Sequence, residues 1–290
     1  MTFSSSVIEL IKRRYSCRAY QQRAIAEETQ RALSDFLVSR REGPFGTRGR
    51  FTLVASTGAD QASLKGLGTY GFIKDAPGFI VGSVEKGSKA FEDFGYLMEH
   101  IILRATDLGL GTCWLGGTFS KSRFAKKIAL ARNELMPAVA SVGYIKEGCQ
   151  AQDRIRRLAR SSHRLPSEAL FCEGSFGKPV PEGGAGPYVD ALEMVRWAPS
   201  ASNKQPWRIV HTEGGWHFYL ERTKGYGKGS LVYSLLRLAD LQRVDLGIAM
   251  CHFELVARER GLAGSWVLAE PNISLPSERT QYTATWRPLG

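Results

Sequence analysis

The sequence contains no long apolar run. No segment approaches the roughly 18 to 20 consecutive apolar residues that a membrane helix needs, so we predict no membrane partner. The start, MTFSSSVIELIKRRYS, has neither the apolar core nor the small-residue cleavage site of a secretory signal peptide. With 43% hydrophobic and 23% charged residues, the composition is typical of a globular protein with ample core material. We therefore expect a cytoplasmic protein.

Cysteine is scarce, and its spacing has no recognisable pattern. The five cysteines, Cys17, Cys113, Cys149, Cys172 and Cys251, are odd in number and never form a CxxC pair. This argues against a disulfide framework and against a zinc site, so we predict reduced, mostly buried thiols and no bound metal. GxGxxG after a strand and GxxxxGK[ST] are also absent, which argues against a Rossmann dinucleotide site and a P-loop.

Acidic residues are outnumbered by basic ones, and the formal net charge is +11. From Lys121 to Arg164, eleven Lys or Arg stand against Glu134, Glu147 and Asp153. Such a stretch can bind nucleic acid, but it has no zinc-finger spacing, RNA-binding aromatic signature or heptad repeat. We expect phosphate-bearing small molecules rather than nucleic acid as partners. A solubilising basic face is the alternative for most of these residues.

The chain repeats itself. Residues 93–114, DFGYLMEHIILRATDLGLGTCW, align without a gap on residues 245–266, DLGIAMCHFELVARERGLAGSW, with nine of 22 columns identical. Each copy predicts a long helix closed by a glycine, followed by a short strand that contains a tryptophan. The offset of 152 is about half of the chain length, which indicates a duplicated domain. Between the copies, segment 172–188 has eight Gly or Pro in 17 positions and predicts a linker.

The predicted units are a first repeat over 1–171, the linker 172–188 and a shorter second repeat over 189–290. Hairpin-like neighbours indicate the α+β class, each repeat being a mixed, mostly antiparallel sheet flanked by helices. The sequence pattern predicts helices near 6–13, 24–40, 89–108, 121–132, 150–160, 188–197 and 230–260, and strands near 51–56, 78–84, 139–145, 208–212 and 216–222.

An arginine-rich segment, RRYSCRAY at 13–20, follows the first predicted helix. In an extended segment alternate residues point the same way, so Arg14, Ser16 and Arg18 would converge on one ligand. Two guanidiniums and a hydroxyl suit a phosphate and a second anionic or carbonyl group. The alternative is an ordinary arginine-rich helix end.

Two weaker signals lie further along the first half. Arg164, in HRLP, precedes a Leu-Pro turn and could reach an anion. In GLGTCWLGG at 109–117, Gly116 and Gly117 would let the main chain approach a flat ligand closely, although an ordinary tight turn is the alternative.

The segment WAPSASNKQPWR, at 197–208, holds small polar residues between two tryptophans. Pro199 ends the preceding helix, and Ser200, Ser202 and Asn203 then offer short side chains and exposed main chain. Such groups fill a core poorly. We therefore favour a ligand wall over a packed turn.

These motifs resemble those of the nitroreductase superfamily, flavoenzymes that bind FMN. RRYSCRAY resembles the opening motif, APSASNKQPWR the second, and GLGTCWLGG and HRLP the third and last, so the resemblance covers most of the chain. It implies the intertwined homodimer of that superfamily, in which both subunits contribute to each FMN site.

The motifs are divided between the two repeats. The first repeat has SRREGPFG where an APSASN segment would follow its second helix. The second repeat has APSASN, but it lacks an RSxR motif at its start, and GLAGSWVLAE lacks the glycine pair. The chain is therefore similar to the fused, pseudo-dimeric nitroreductases of Thermotoga type. We expect a monomeric, intramolecular pseudo-dimer with one surviving FMN site.

The resemblance implies a role for each motif. Arg14, Ser16 and Arg164 would hold the phosphate and ribityl chain, Arg18 would face the pyrimidine edge, and the glycine pair would lie near flavin N5. The second motif would form the opposite wall. The expected FMN-binding residues are Arg14, Tyr15, Ser16, Arg18, Gly116, Gly117, Arg164, Pro199, Ser200, Ala201, Ser202 and Asn203.

The implied activity is that of an FMN-dependent oxidoreductase. Hydride would pass from NADPH or NADH through FMN to a flat acceptor, a nitroaromatic or a quinone, in a ping-pong cycle. No side chain is expected to act as the catalytic acid, because His100 and His252 are repeat-paired helix residues suited to a core. The alternatives are a flavin-binding sensor or storage protein, or dehalogenation, flavin fragmentation or ring oxidation. The Gly-containing loops 64–78 and 222–230 are candidates for acceptor specificity.

Overall fold

The computed structural model describes residues 3–56, 64, 67–148, 162–225 and 239–289. The first half consists of α1 (Val7–Arg13), α2 (Glu27–Ser39), β1 (Gly49–Ala55), β2 (Gly78–Glu85), α3 (Ala90–Asp107), β3 (Gly111–Leu115), α4 (Lys121–Lys127), β4 (Glu134–Leu135) and β5 (Val139–Gly143). The second half consists of α5 (Ser167–Leu170), β6 (Phe171–Glu173), α6 (Val189–Trp197), β7 (Trp207–Thr212), β8 (Gly215–Glu221), α7 (Leu241–Glu259), β9 (Gly264–Val267) and β10 (Thr280–Pro288). Short 3₁₀ turns cover Gly186–Tyr188 and Ala201–Asn203.

The strands form two five-stranded sheets. The first has the order β1-β2-β5-β3, with β4 also paired to β2, and the second has the order β6-β7-β8-β10-β9. All pairs are antiparallel except β6 with β7, which are parallel. Apart from the short strands β4 and β6, the two sheets follow the same order relative to their long helices. The mixed α+β class with helix-flanked sheets is thus confirmed.

The long helices α3 and α7 pack against each other between the sheets. Their glycines explain how the two backbones come so close. A Cβ on Gly95 would collide with the carbonyl oxygen of Val244, and a Cβ on Gly247 would collide with that of Glu92. Gly95 and Gly247 are a repeat pair, and so are Glu92 and Val244, so the two contacts are reciprocal. The helix crossing therefore has the self-complementary form of a two-fold interface.

One apolar core runs through both halves. Phe94 and Met98 of α3 belong to the same cluster of buried side chains as Trp207, Phe218 and Trp286 of the second half. β2 is buried along its first seven residues because helices and neighbouring strands cover both of its faces. The two halves are therefore joined by burial of apolar surface as well as by the chain itself.

Several predicted element boundaries are corrected. The helix predicted over 121–132 ends at Lys127, since Ala129 has a left-handed φ of 47° that a helix does not accommodate. The helix predicted over 230–260 begins at Leu241, where the side chain of Asp240 accepts a hydrogen bond from the Arg243 amide. The helix predicted over 150–160 and residues 226–238 lie outside the described residues. α2 begins at Glu27, three residues later than predicted.

Three strands, β4, β6 and β10, were not predicted at all. β6 lies where the predicted first repeat meets the predicted linker, and it adds to the second sheet as an edge strand beside β7. β10 spans nine residues and carries buried threonines, Thr283 and Thr285, at positions that a hydrophobic pattern does not mark.

No helix in the described part of the chain is both long and apolar enough to cross a membrane. Four cysteines, Cys17, Cys113, Cys172 and Cys251, are buried free thiols, while Cys149 lies outside the described residues.

Candidate functional site

A cavity of about 470 Å³ opens between the arginine-rich segment of the first half and the small polar segment of the second. Nine of the twelve residues expected to bind FMN line it: Arg14, Tyr15, Ser16, Arg18, Arg164, Pro199, Ser200, Ser202 and Asn203. Residues some 180 positions apart in sequence thus meet around one space. The remaining three, Gly116, Gly117 and Ala201, are placed elsewhere, as described below.

The arginine-rich segment is extended, as predicted. It runs beside β3, where Ser16 bridges Thr112 and the Cys17 amide donates to the Thr112 carbonyl at 2.8 Å. Cys17 is fully buried on the side away from the cavity. Arg14, Ser16 and Arg18 line the cavity, as alternation predicts, but Tyr15 between them lines it as well.

The second wall is a tight turn that α6 leads into. After Trp197 the chain turns through Ala201–Asn203, and Ser202, Asn203 and Gln205 all have left-handed φ values of 51°, 53° and 49°. The Ala201 amide donates to the carboxylate of Asp245 at 3.0 Å. Ala201 is thus a main-chain anchor for the turn and does not line the cavity.

Gln205 joins this turn to the HRLP segment, and the sequence analysis missed it. Its side-chain oxygen accepts from the Leu165 amide at 2.9 Å, and its residue is 1% exposed. Asn203 donates to the His163 carbonyl at 3.0 Å, and Arg164 donates to the Asn203 side-chain oxygen at 3.4 Å. The two motifs therefore form one hydrogen-bonded unit at the cavity wall.

A buried carboxylate, Glu99, supports the opposite side. It accepts from the indole N–H of Trp114 at 2.8 Å, and its other oxygen lies 3.0 Å from His252 Nε2 and 3.5 Å from Arg14 Nε. Glu99 is fully buried, and only 6% of the Arg14 side chain is exposed. Glu99 thus orients Arg14 and links it to a helix of the second half.

The two repeat-paired histidines are buried, as expected. His252 also lies 2.9 Å, through Nδ1, from the Met194 carbonyl. His100 packs against the rings of Phe3, Phe36 and Tyr96, and burial lowers its pKa to about 3. Neither histidine lines the 470 Å³ cavity.

Gly116 and Gly117 line a second, adjoining cavity of about 760 Å³. The two cavities share Phe72 and Thr118. A Cβ on Gly116 would collide with the side chain of Leu241, so close packing against α7 accounts for this glycine. The glycine pair thus lines the adjoining cavity and not the cavity that Arg14 lines, and its place near flavin N5 stays a prediction.

The first cavity suits an anionic, partly aromatic ligand. Among the described residues that line it, Lys12, Arg13, Arg14, Arg18 and Arg164 are cationic and none is acidic. Trp114 and Trp197 supply aromatic surface. Its volume lies within the range of about 300–1,000 Å³ typical of small-molecule sites. These residues fit FMN, which combines a phosphate with a flat ring system. Within the described ranges no group of three His, Cys, Asp or Glu side chains could hold a metal ion.

Three solved structures illustrate what the chain resembles. A "putative nitroreductase" from Thermotoga maritima is 20% identical, with a TM-score of 0.62 over 99% of this chain and 95% of that chain, and it shares the fold. A nitroreductase family protein from Clostridium difficile 630 is 22% identical, with a TM-score of 0.41, over 57% of this chain and 94% of its own. A nitroreductase with bound FMN from Bacteroides fragilis is 24% identical, with a TM-score of 0.38, over 50% of this chain and 91% of its own.

No curated protein matches the chain significantly. A family model does, over residues 6–257, and its description is "Putative TM nitroreductase". The match covers α1 through nearly all of α7, and thus both walls of the first cavity. The chain therefore belongs to this nitroreductase family.

Proposed function

We propose that this protein is an FMN-dependent oxidoreductase that passes reducing equivalents from NADPH or NADH to a flat acceptor, a nitroaromatic or a quinone. The observation that carries the proposal is the cavity of about 470 Å³ with five cations and two tryptophans among its lining residues. When bound there, FMN would supply the hydride chemistry, which no amino-acid side chain can perform. The residues of the chain bind and orient the cofactor.

The arginines that line the cavity are the proposed contacts of the FMN phosphate. Arg14 and Arg164 lie on opposite walls of the cavity, and Ser16 also lines it with a hydroxyl group. Charge-assisted hydrogen bonds contribute about 1.5–3 kcal/mol each, so this end provides much of the affinity. Arg18 would hold the polar edge of the ring system, and its fixed positive charge would stabilise negative charge on the ring.

We also propose that the chain is an intramolecular pseudo-dimer, with repeats over 1–171 and 189–290 joined by 172–188. The reciprocal contacts of Gly95 and Gly247 and the common strand order support this duplication. One FMN per chain follows, because the arginine-rich wall comes from the first half and the small polar wall from the second. The fused chain has the residues for a single complete site.

The cycle is proposed to be ping-pong, with donor and acceptor using the same face of the cofactor in turn. The two helix histidines are buried away from the cavity, so neither delivers a proton to the acceptor. Solvent water is the proposed proton source.

The test is a visible spectrum of the purified protein with FMN, followed by NADPH or NADH under argon. We expect flavin bands at one equivalent per chain and their bleaching by a nicotinamide. Two equivalents would contradict the single-site proposal, and bound flavin without bleaching would favour a flavin-binding sensor. A ternary complex seen by stopped-flow before flavin reduction would refute the ping-pong cycle.

Arginine variants locate the site within the same experiment. Arg14→Met and Arg164→Met are each expected to weaken FMN binding about 10- to 100-fold, as the loss of one charge-assisted hydrogen bond requires. Arg260 forms an ion pair with Asp190 at 2.7 Å and does not line the cavity, so Arg260→Met is the matched control. Equal FMN affinity in all three variants would place the flavin elsewhere.

A further inference from the structure

The second cavity, of about 760 Å³, is larger than the proposed FMN site and adjoins it through Phe72 and Thr118. We propose that it binds the phosphate-bearing part of the nicotinamide dinucleotide donor. This inference rests on the proposed function, because it assigns a donor subsite beside the FMN cavity.

The described residues that line the second cavity carry charge of one sign. Among these eleven, Lys121 and Arg123 are cationic and none is acidic. Both come from the basic stretch that follows β3, and both side chains lie at the exposed rim. Partial burial lowers the pKa of Lys121. The favoured ligand is therefore a phosphate or pyrophosphate group.

The second cavity also has aromatic surface for a base. Tyr70 is 71% exposed and Phe72 is 38% exposed, so both rings are accessible to a ligand. Tyr70 has a left-handed φ of 49°, a strained conformation for a tyrosine. A hydrogen bond from the Gly68 amide to Ser120 Oγ at 3.1 Å ties this loop to the start of α4. Aromatic side chains and cations thus line the same cavity, a combination that suits a nucleotide.

The second cavity adjoins the first, so it offers the donor a space separate from that of the flavin. A cavity of about 470 Å³ that holds FMN has little room left for a dinucleotide. The shared residues Phe72 and Thr118 mark the junction, so a nicotinamide ring could reach the flavin while its phosphates stay in the second cavity. Lys121 and Arg123 would then determine donor affinity without touching the flavin.

The experiment compares two charge-matched double variants of the FMN-loaded protein. Lys121→Gln with Arg123→Gln removes both cations of the second cavity. Lys126→Gln with Lys127→Gln removes two exposed cations from the same helix that do not line it. We measure KM for NADPH and NADH, and the Kd of NADP⁺ and NAD⁺ by calorimetry.

We expect the first double variant to raise donor KM and dinucleotide Kd about 10- to 100-fold, and the control to change them less than 2-fold. A rise for both dinucleotides indicates contact with the pyrophosphate, and a rise for NADPH and NADP⁺ alone indicates the 2′-phosphate. Either result supports the proposal. Unchanged donor constants would overturn it, as would a rise confined to the KM of an anionic acceptor such as 4-nitrobenzoate.

The design separates this inference from the proposed function. If the wild-type protein binds no FMN or is reduced by no nicotinamide, the proposed function fails. If FMN binds and is reduced normally in wild type and in both double variants, only the donor subsite fails.

Discussion

The loop over residues 40–48, between α2 and β1, corresponds to the loop over residues 198–206, between α6 and β7. A repeat-paired aspartate holds each loop. Asp93 accepts the amides of Phe45 and Thr47, each at 3.0 Å. Asp245 accepts the amide of Ala201 with both oxygens, at 3.0 and 3.1 Å. Burial raises the pKa of both carboxyl groups. Both halves thus fix this loop by a buried aspartate that accepts main-chain amides.

The loops differ in backbone strain. In the first half the left-handed position is a glycine, Gly46, with a φ of 82°. In the second half Ser202, Asn203 and Gln205 take left-handed values, and these residues pay about 1–2 kcal/mol each for it. Among the described residues of the first-half loop, none lines the 470 Å³ cavity, whereas the second-half loop forms its wall. Strain is therefore concentrated where the ligand is proposed to bind.

The largest effect is expected where the two halves are equivalent. Alanine at Gly95 or Gly247 would push α3 and α7 apart, because its Cβ collides with a carbonyl oxygen of the other helix. We expect each variant to lose about 3 kcal/mol of unfolding free energy in urea titrations, as overpacking of a core does.

The sign of this effect provides an internal control. In an ordinary helix, replacing glycine by alanine stabilises by about 0.5–1 kcal/mol. Losses within about 0.5 kcal/mol of each other would support a symmetric crossing. Stabilisation by either substitution, or a loss at one position only, would contradict it.

The second effect distinguishes the two loops. Asp93→Ala and Asp245→Ala each leave partly buried amides without an acceptor, and we expect a loss of about 2 kcal/mol in both. Only Asp245→Ala is expected to weaken FMN binding, by 10-fold or more in flavin fluorescence titrations, because only its loop lines the cavity.

Asparagine variants test whether Asp245 acts by positioning. The side-chain oxygen of Asp245→Asn can still accept from Ala201, so FMN affinity should recover to within about 3-fold of wild type. If Asp93→Ala weakened FMN binding as much as Asp245→Ala, the difference between the loops would be refuted.

The extent to which sequence predicts this molecule differs between its elements. Arg14, Ser16 and Arg18 were predicted from alternation along an extended segment together with the resemblance to the nitroreductase motifs. The repeat predicted two similar halves and pairs Gly95 with Gly247, but it predicted neither the strand order nor the helix crossing. β10 was missed because its inward positions are threonines, whose burial depends on neighbouring strands and not on hydrophobicity.

The supporting residues of the site could not be predicted. Glu99, Asp245 and Gln205 are polar residues with partners that lie 40 to 153 positions away. The only sequence signal is a charged or amide residue inside an otherwise buried segment. Such a residue must find a partner on folding, but which partner it finds is decided by the tertiary structure.

The third effect concerns the repeat-paired histidines. The folded-state pKa of His100 is about 3, against 6.5 for an unperturbed histidine, so the unfolded chain takes up the proton first as pH falls. The contribution of His100 is therefore intact above pH 6.5 and decreases as pH falls toward 3. Between pH 7 and 5 we expect protonation of His100 in the unfolded chain to lower the free energy of unfolding by about 2 kcal/mol. His100→Phe should abolish that part of the decline.

His252 is the matched comparison. It lies against Glu99 and the Met194 carbonyl, so His252→Phe removes polar contacts of a fully buried carboxylate. We expect this variant to lose stability at pH 7, by about 2–3 kcal/mol, where His100→Phe does not. His217, whose pKa burial lowers to about 4, would keep some acid sensitivity in both variants. If the free energy of unfolding of His100→Phe fell with pH as steeply as that of wild type, His100 would not be the source of this acid sensitivity.

The smallest effect tests the strain itself. Glycine at Ser202 relieves about 1–2 kcal/mol of left-handed strain in the folded state. The greater entropy of glycine in the unfolded chain opposes this gain by about 0.4–1 kcal/mol. We therefore expect Ser202→Gly to stabilise the protein by up to about 1 kcal/mol. FMN binding should nevertheless weaken a few-fold, because a more flexible wall must be ordered on binding. Gly46→Ala should do the opposite, destabilising by about 1 kcal/mol without altering FMN affinity. If Ser202→Gly tightened FMN binding, the left-handed turn would be a liability of the fold and not a preorganised wall.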